Sequence, residues 1–141
     1  EDFTPGDRIR SIRRTISEGE AMLFNSLVMD HHPYVSDQPF AEREGAFGRR
    51  LVAGAMVFSY GLGLAATNCL NSFSYGYDRL RFVRPVHIGD TIRTRVTIAA
   101  KDDDPKRLAS GRVTERCEVI NQRGEVVLAA DHILIVERKK T

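Results

Sequence analysis

The chain has 141 residues, a formal net charge of +2, and 42% hydrophobic and 28% charged residues. That length makes one domain, spanning 1–141, with enough apolar material to bury a core, and it argues against disorder. The charge is too small and the arginines too scattered for a nucleic-acid surface, which would interleave basic blocks with aromatics. Cys69 and Cys117 sit in apolar stretches and no signal-peptide pattern stands at the N-terminus. They are therefore expected to be reduced core residues of a cytoplasmic protein.

Asp7 to Ile16 mixes arginine with isoleucine and threonine and reads as a strand. Ser17 followed by Glu20 makes a capping box, opening a helix that places Leu23, Phe24, Leu27 and Val28 on one face. This helix should stop near Asp30, because Pro33 cannot continue it. Asp30 to Ser36 is expected as a loop, and Asp37 to Arg43 as a short helix with Pro39 in its first turn. Gly45 to Arg50 connects to Leu51–Leu70, an uncharged run expected to be one long helix. The run is long enough to span a bilayer. Its glycines, Ser59, Thr67 and Asn68, and the half-polar strands that follow, favour burial in a protein core instead.

The second half reads as strand throughout. The strands are expected at Tyr77–Val86, Thr91–Ala99, Gly111–Ile120 and Glu125–Glu137, on the alternation of apolar and polar residues. Turns fall at His87–Gly89, Lys101–Arg107 and Asn121–Gly124. The expected architecture is α+β: a curved antiparallel sheet wrapped around one apolar helix, the hot-dog arrangement. Open sheet edges make pairing of two copies edge to edge an expectation, giving a homodimer or a higher even oligomer.

Two elements carry candidate chemistry. Phe24 to Ala41 packs Asp30, His31 and His32 beside a proline-fixed turn, the raw material of general acid–base catalysis as well as of an ordinary polar helix end. Gly48 to Gly54 opens the apolar helix, and a helix start presents backbone N–H groups and partial positive charge to a substrate oxygen. His87 and His132 read as structural. Adjacent His31 and His32 lack further ligands at metal-binding spacing, so no metal site is expected. No nucleotide-binding glycine loop or nucleophile elbow is present.

Together these stretches resemble the MaoC-like family of hot-dog acyl-CoA hydratases and dehydratases, which includes the R-specific enoyl-CoA hydratases. Its motif Phe-x-x-Leu-x-x-Asp-x-Asn-Pro-Leu-His-x-Asp-x-x-Phe-Ala is matched in register by Phe24, Leu27, Asp30, Pro33, Asp37, Phe40 and Ala41. Phe47-Gly48 with Leu51 to Gly54, Phe82 to Thr91, and Asn121 to Val126 resemble further family stretches. The resemblance implies reversible water addition to a 2-enoyl thioester of CoA type, the thioester being substrate and no cofactor being needed. It gives Asp30 the acid–base role and the Gly54 N–H the thioester oxygen, and it places Ser59 facing the site. The family's catalytic His falls on Val35, its Asn on His32, and the His before the helix glycine on Ala53.

Three readings follow. His32 or His31 takes over the missing imidazole, or Asp30 works with a water or Ser59, or the chain binds thioesters without turnover as one subunit of a heteromer. A hot-dog thioesterase is a further alternative. Val35, Ala53, Ser59, Arg49 and Arg50 are the candidate substrate contacts, the arginines toward the phosphates of a polyanionic carrier.

Overall fold

The computed structural model describes residues 2–66 and 70–139. The elements in chain order are β1 (Arg8–Arg10), β2 (Arg14–Thr15), α1 (Glu18–Val28), α2 (Pro33–Ser36), α3 (Gln38–Arg43) and α4 (Gly54–Ala65). They are followed by β3 (Ser72–Phe82), β4 (Thr91–Asp103), β5 (Ser110–Ile120) and β6 (Val126–Glu137). Among the described residues the strands form one antiparallel sheet in the order β1-β4-β5-β6-β3, and β2 also pairs with β4.

Helix α4 lies against the inner face of this sheet, as the hot-dog arrangement requires. Gly61 makes the approach possible: a Cβ there would sit 2.5 Å from Val119 Cγ2 on β5. The Thr94 hydroxyl on β4 donates to Gly61 O at 2.8 Å, so a buried hydroxyl ties sheet to helix. Met56, Val57, Ile92, Val119 and Leu128 belong to the main core cluster between the two layers.

The apolar helix is shorter than its uncharged run. Leu51 forms a bridge with His87, and the Val52 N–H donates to Val86 O at 2.7 Å, which holds 51–53 extended. Ala53, at φ −52° and ψ 133°, is the N-cap, and α4 ends at Ala65. Thr67, Asn68 and Cys69 lie outside the described residues. Twelve residues do not cross a bilayer, and among the described residues no helix is long and apolar enough to do so.

Four local expectations need correction. The first strand is two short ones, β1 and β2, broken over 11–13. The expected loop at Asp30–Ser36 contains α2, because Pro33 sits in its first turn and the His32 ring caps it. Helix α1 is capped at Ser17 and Glu20 as expected, yet it buries Ala21 and Asn25 rather than its larger residues. Leu27 is 74% exposed, and Leu23 and Val28 are exposed too; Phe24 is half-buried against the core. Small side chains on the inward face let α1 sit close, leaving the bulky ones outside. Strand β3 begins at Ser72, five residues early, because the long β6 offers it partners as far as Val136. It stops at Phe82, and the Val83 and Arg84 amides then share Val127 O.

Candidate active site

The site region begins where α1 ends. Met29 adopts the left-handed conformation (φ 60°, ψ 31°), and the Asp30 N–H returns to Asn25 O at 2.9 Å. This turns the chain sharply and leaves Asp30 half-buried, its Oδ1 accepting from the His32 N–H at 3.3 Å. His32 Nδ1 accepts the Tyr34 N–H at 3.2 Å, which commits that ring nitrogen to the backbone and leaves Nε2 outward. His31 is exposed, and its carbonyl accepts from the Ser36 hydroxyl at 3.1 Å.

A main-chain bond from the Leu51 N–H to Tyr34 O, 2.8 Å, then fastens α2 to the segment entering α4. It brings two motif positions into one apolar surrounding. Val35 is 6% exposed and Ala53 3%, and both belong to the main core cluster with Val52 and Met56. Asn25, which the sequence reading passed over, is buried beside them, with its Nδ2 donating to Val35 O at 3.4 Å. Its Oδ1 has no partner among the described residues.

The start of α4 is the second candidate element, and neither Asp30 nor His31 nor His32 lines the cavity that opens there. Ala53 supplies no side-chain cap. The Met56 and Val57 amides turn back onto Ala53 O at 2.9 and 3.1 Å. The first amide of a helix has no intrahelical acceptor, which leaves the Gly54 N–H without a partner inside α4. The Phe82 ring packs directly on this glycine: a Cβ at position 54 would meet Cε1 and Cζ at 2.9 Å. Beside them opens a cavity of 710 Å³, lined mainly by apolar groups including Leu51, Gly54, Phe58, Phe82 and Pro85. Arg84 is the charged residue in that lining, and its Nε stands 3.8 Å from Glu125. The sequence reading took Arg84 only as part of the Phe82–Thr91 stretch.

The remaining candidates lie elsewhere. The Ser59 hydroxyl donates to Ala55 O at 2.8 Å, one turn back, and Ser59 does not line the cavity. Arg50 is structural: Nε donates to Gln38 at 2.8 Å and the guanidinium pairs with Glu18, tying α3 to α1. Arg49 is exposed and borders a shallower depression with Gln38, Arg50 and Ile88. His87 is buried, with Nδ1 3.0 Å from Arg50 O. Cys117 is buried on β5, and burial first, then the nearby Glu115 and Asp131 carboxylates, push its thiol up to about 12. On its own it is not a nucleophile at neutral pH.

The model of the MaoC like domain matches residues 2–120. This chain belongs to the MaoC-like family. It is 35% identical over 111 residues to the protein MaoC of Klebsiella aerogenes, an alignment covering 77% of this chain and 33% of that protein. It is 31% identical over 145 residues to the mesaconyl-CoA hydratase of Cereibacter sphaeroides, covering 100% of this chain and 41% of the enzyme. The MaoC-like dehydratase from Rhodospirillum rubrum superimposes with a TM-score of 0.87 at 26% identity, covering 99% of this chain and 97% of that one. This MaoC-like domain therefore has relatives named as hydratases and dehydratases, and it spans less than half the length of the two curated relatives.

Proposed function

We propose that this MaoC-like domain adds or removes water across the Cα=Cβ bond of a 2-enoyl or 3-hydroxyacyl thioester of CoA type. The observation that carries this reading is the uncapped Gly54 N–H opening beside a largely apolar cavity. Water oxygen bonds to Cβ, the C=C electron pair moves toward the thioester carbonyl, and a proton reaches Cα. Negative charge builds on the thioester oxygen as this happens. A fixed backbone donor at that oxygen lowers the barrier because it needs no reorganisation during the reaction. Asp30 is the proton-transferring group in this reading: it is half-buried, follows the αL turn and holds the family's motif position. The cavity beside Gly54 suits an acyl chain, and Arg84 at its edge suits a carrier phosphate.

A panel of enoyl-CoA thioesters tests the reading. Loss of the conjugated enoyl absorbance is expected for at least one chain length, without release of free thiol. Asp30→Ala is expected to remove that turnover. Thiol release from the same panel would mark a thioesterase instead, and turnover indifferent to Asp30 would defeat the mechanism.

A second reading rests on Val35 and Ala53, both buried and apolar where the family carries imidazole. Under it the chain binds acyl thioesters without turnover and completes a heteromer. Calorimetric binding of an enoyl-CoA with no hydration, and turnover on adding a partner that keeps the Asp/His pair, would favour it. Both readings include pairing of copies or partners through the sheet edges, which light scattering in solution checks.

A further inference from the structure

A second polar cluster, none of whose members takes part in the proposed reaction, lies on the inner face of the sheet, one ring (Tyr77) from the cavity-lining Phe58. Glu115 and Cys117 are two residues apart on β5 and so point to the same face. Across the ladder Glu115 stands opposite His132 of β6, while Cys117 stands opposite Ala130, whose methyl leaves room beside the sulfur. A Glu115 carboxylate oxygen, the Cys117 Sγ and a His132 ring nitrogen all lie within 4.8 Å of one another. His132 Nδ1 is 3.1 Å from Glu115 Oε2, and His132 Nε2 is 2.9 Å from the Ser74 hydroxyl on β3. The Tyr77 ring stacks on the imidazole, with centroids 4.5 Å apart and planes 9° apart.

One feature of this cluster is unsatisfied. The Glu115 side chain is 1% exposed, and its Oε1 has no hydrogen-bond partner among the described residues. Burying a carboxylate with an oxygen unpaired is costly, and native structures nearly always supply a partner. Asp131, the next residue along β6 and also buried, shows the usual solution: it holds Arg79 at 2.6 Å and Arg116 at 3.0 Å. Among the described residues no arginine or lysine pairs with Glu115.

We infer that Glu115, Cys117 and His132 bind a divalent transition-metal ion of the zinc type, with Ser74 positioning the imidazole. One carboxylate and one thiolate balance a 2+ charge, so the occupied site is electrically neutral in a buried setting. The mixed oxygen, sulfur and nitrogen donors match zinc's ligand preference and would leave a fourth position for water. Nδ1 faces the carboxylate and the thiol, and Nε2–H donates to Ser74 Oγ, the outer contact that usually fixes a metal-bound histidine. On binding, the thiol proton leaves to solvent, and so does the proton that lies between His132 Nδ1 and Glu115 Oε2 before the ion enters, which frees the Nδ1 lone pair and the carboxylate for the ion. The His132 side chain, 14% exposed, and the exposed Ser74 give a path from solvent.

The test uses the whole chain, stripped with a chelator, and the metal alone. Adding Co²⁺ is expected to produce a thiolate-to-cobalt charge-transfer band that Zn²⁺ abolishes by displacement. The band should persist in Cys69→Ser and vanish in Cys117→Ser. Glu115→Gln and His132→Gln should weaken zinc binding by about tenfold or more, and Ser74→Ala by about tenfold, the usual effect of an outer contact. Zinc-edge X-ray absorption on the unaltered protein needs no variant to fold and should show one sulfur ligand. No sulfur at the zinc, or a band that survives Cys117→Ser or depends on Cys69, would overturn the site.

Discussion

Two places next to the core of this domain are built in opposite ways. Around the start of α4 the motif positions that would carry imidazole are Val35 and Ala53, packed into the apolar cluster, and the open polar group is a backbone amide on Gly54. On the sheet's inner face a carboxylate and an imidazole are buried together, with a thiol beside them and one oxygen unsatisfied. The difference is one of cost. A helix-start N–H is polar without a side chain and needs no partner to stay there. A buried Glu–His pair holds only while every member keeps its partner. The polar group of the first place therefore depends on the backbone, and that of the second on its side chains.

Breaking the second place should show most. His132→Ala leaves Glu115 buried with neither oxygen paired, and removing one partner of such a pair costs about 3–5 kcal/mol. Urea unfolding at neutral pH checks this, with Ser74→Ala, at an exposed position, expected to cost far less. At the first place, Gly54→Pro keeps a helix-compatible residue at the first helical position while deleting the N–H. It should lower kcat/KM for an enoyl thioester by about 10²–10³-fold, the usual loss of one such donor. Gly54→Ala places the same Cβ against the Phe82 ring but keeps the amide, and it should lose much less. Equal losses in the two variants would mean that the ring contact, not the N–H, matters.

Val35→His puts an imidazole into the apolar cluster and should cost about 1–3 kcal/mol of stability, the usual penalty for an unpaired buried polar group. A shift of the urea midpoint measures it, and an unchanged midpoint would mean that position 35 opens toward solvent or substrate. The smallest effect belongs to the cap of α1. The Ser17 N–H first, then Arg14, hold the Glu20 carboxyl down at about 2. A depressed folded-state pKa adds stability above the unfolded carboxylate value, and that stability fades as pH falls toward about 2. The melting temperature of Glu20→Gln should accordingly fall less steeply than the wild type's below about pH 4.3, the ordinary glutamate value.

Much of this was legible in the sequence because it rests on local chemistry. Ser17 and Glu20 announced the α1 cap, Asn121 to Gly124 the last turn, and the alternation around Ile92 and Val96 the strand β4. The uncharged run of 51–70 did not reveal the helix boundary, because Leu51 and Val52 are apolar for a different reason: they pair with His87 and Val86. The face of α1 was not legible, because Ala21 and Asn25 turn inward and not its large apolar residues. Asp30 and Gly54 stood out as motif positions, whereas Phe82 over Gly54 depends on where β3 ends. Glu115 and His132 are 17 residues apart and meet only through the β5–β6 register, which no spacing rule reveals.

In the proposed reaction, proton transfer at the thioester belongs to Asp30 rather than to a displaced histidine. The most direct measurement compares kcat/KM of Asp30→Asn with that of the double variant His31→Ala, His32→Ala on the best enoyl-CoA of the panel. The first is expected to lose about 10²–10⁴-fold, as for a general acid–base group, and the second to change only a few-fold. A collapse in the double variant with Asp30→Asn near wild type would contradict the assignment to Asp30.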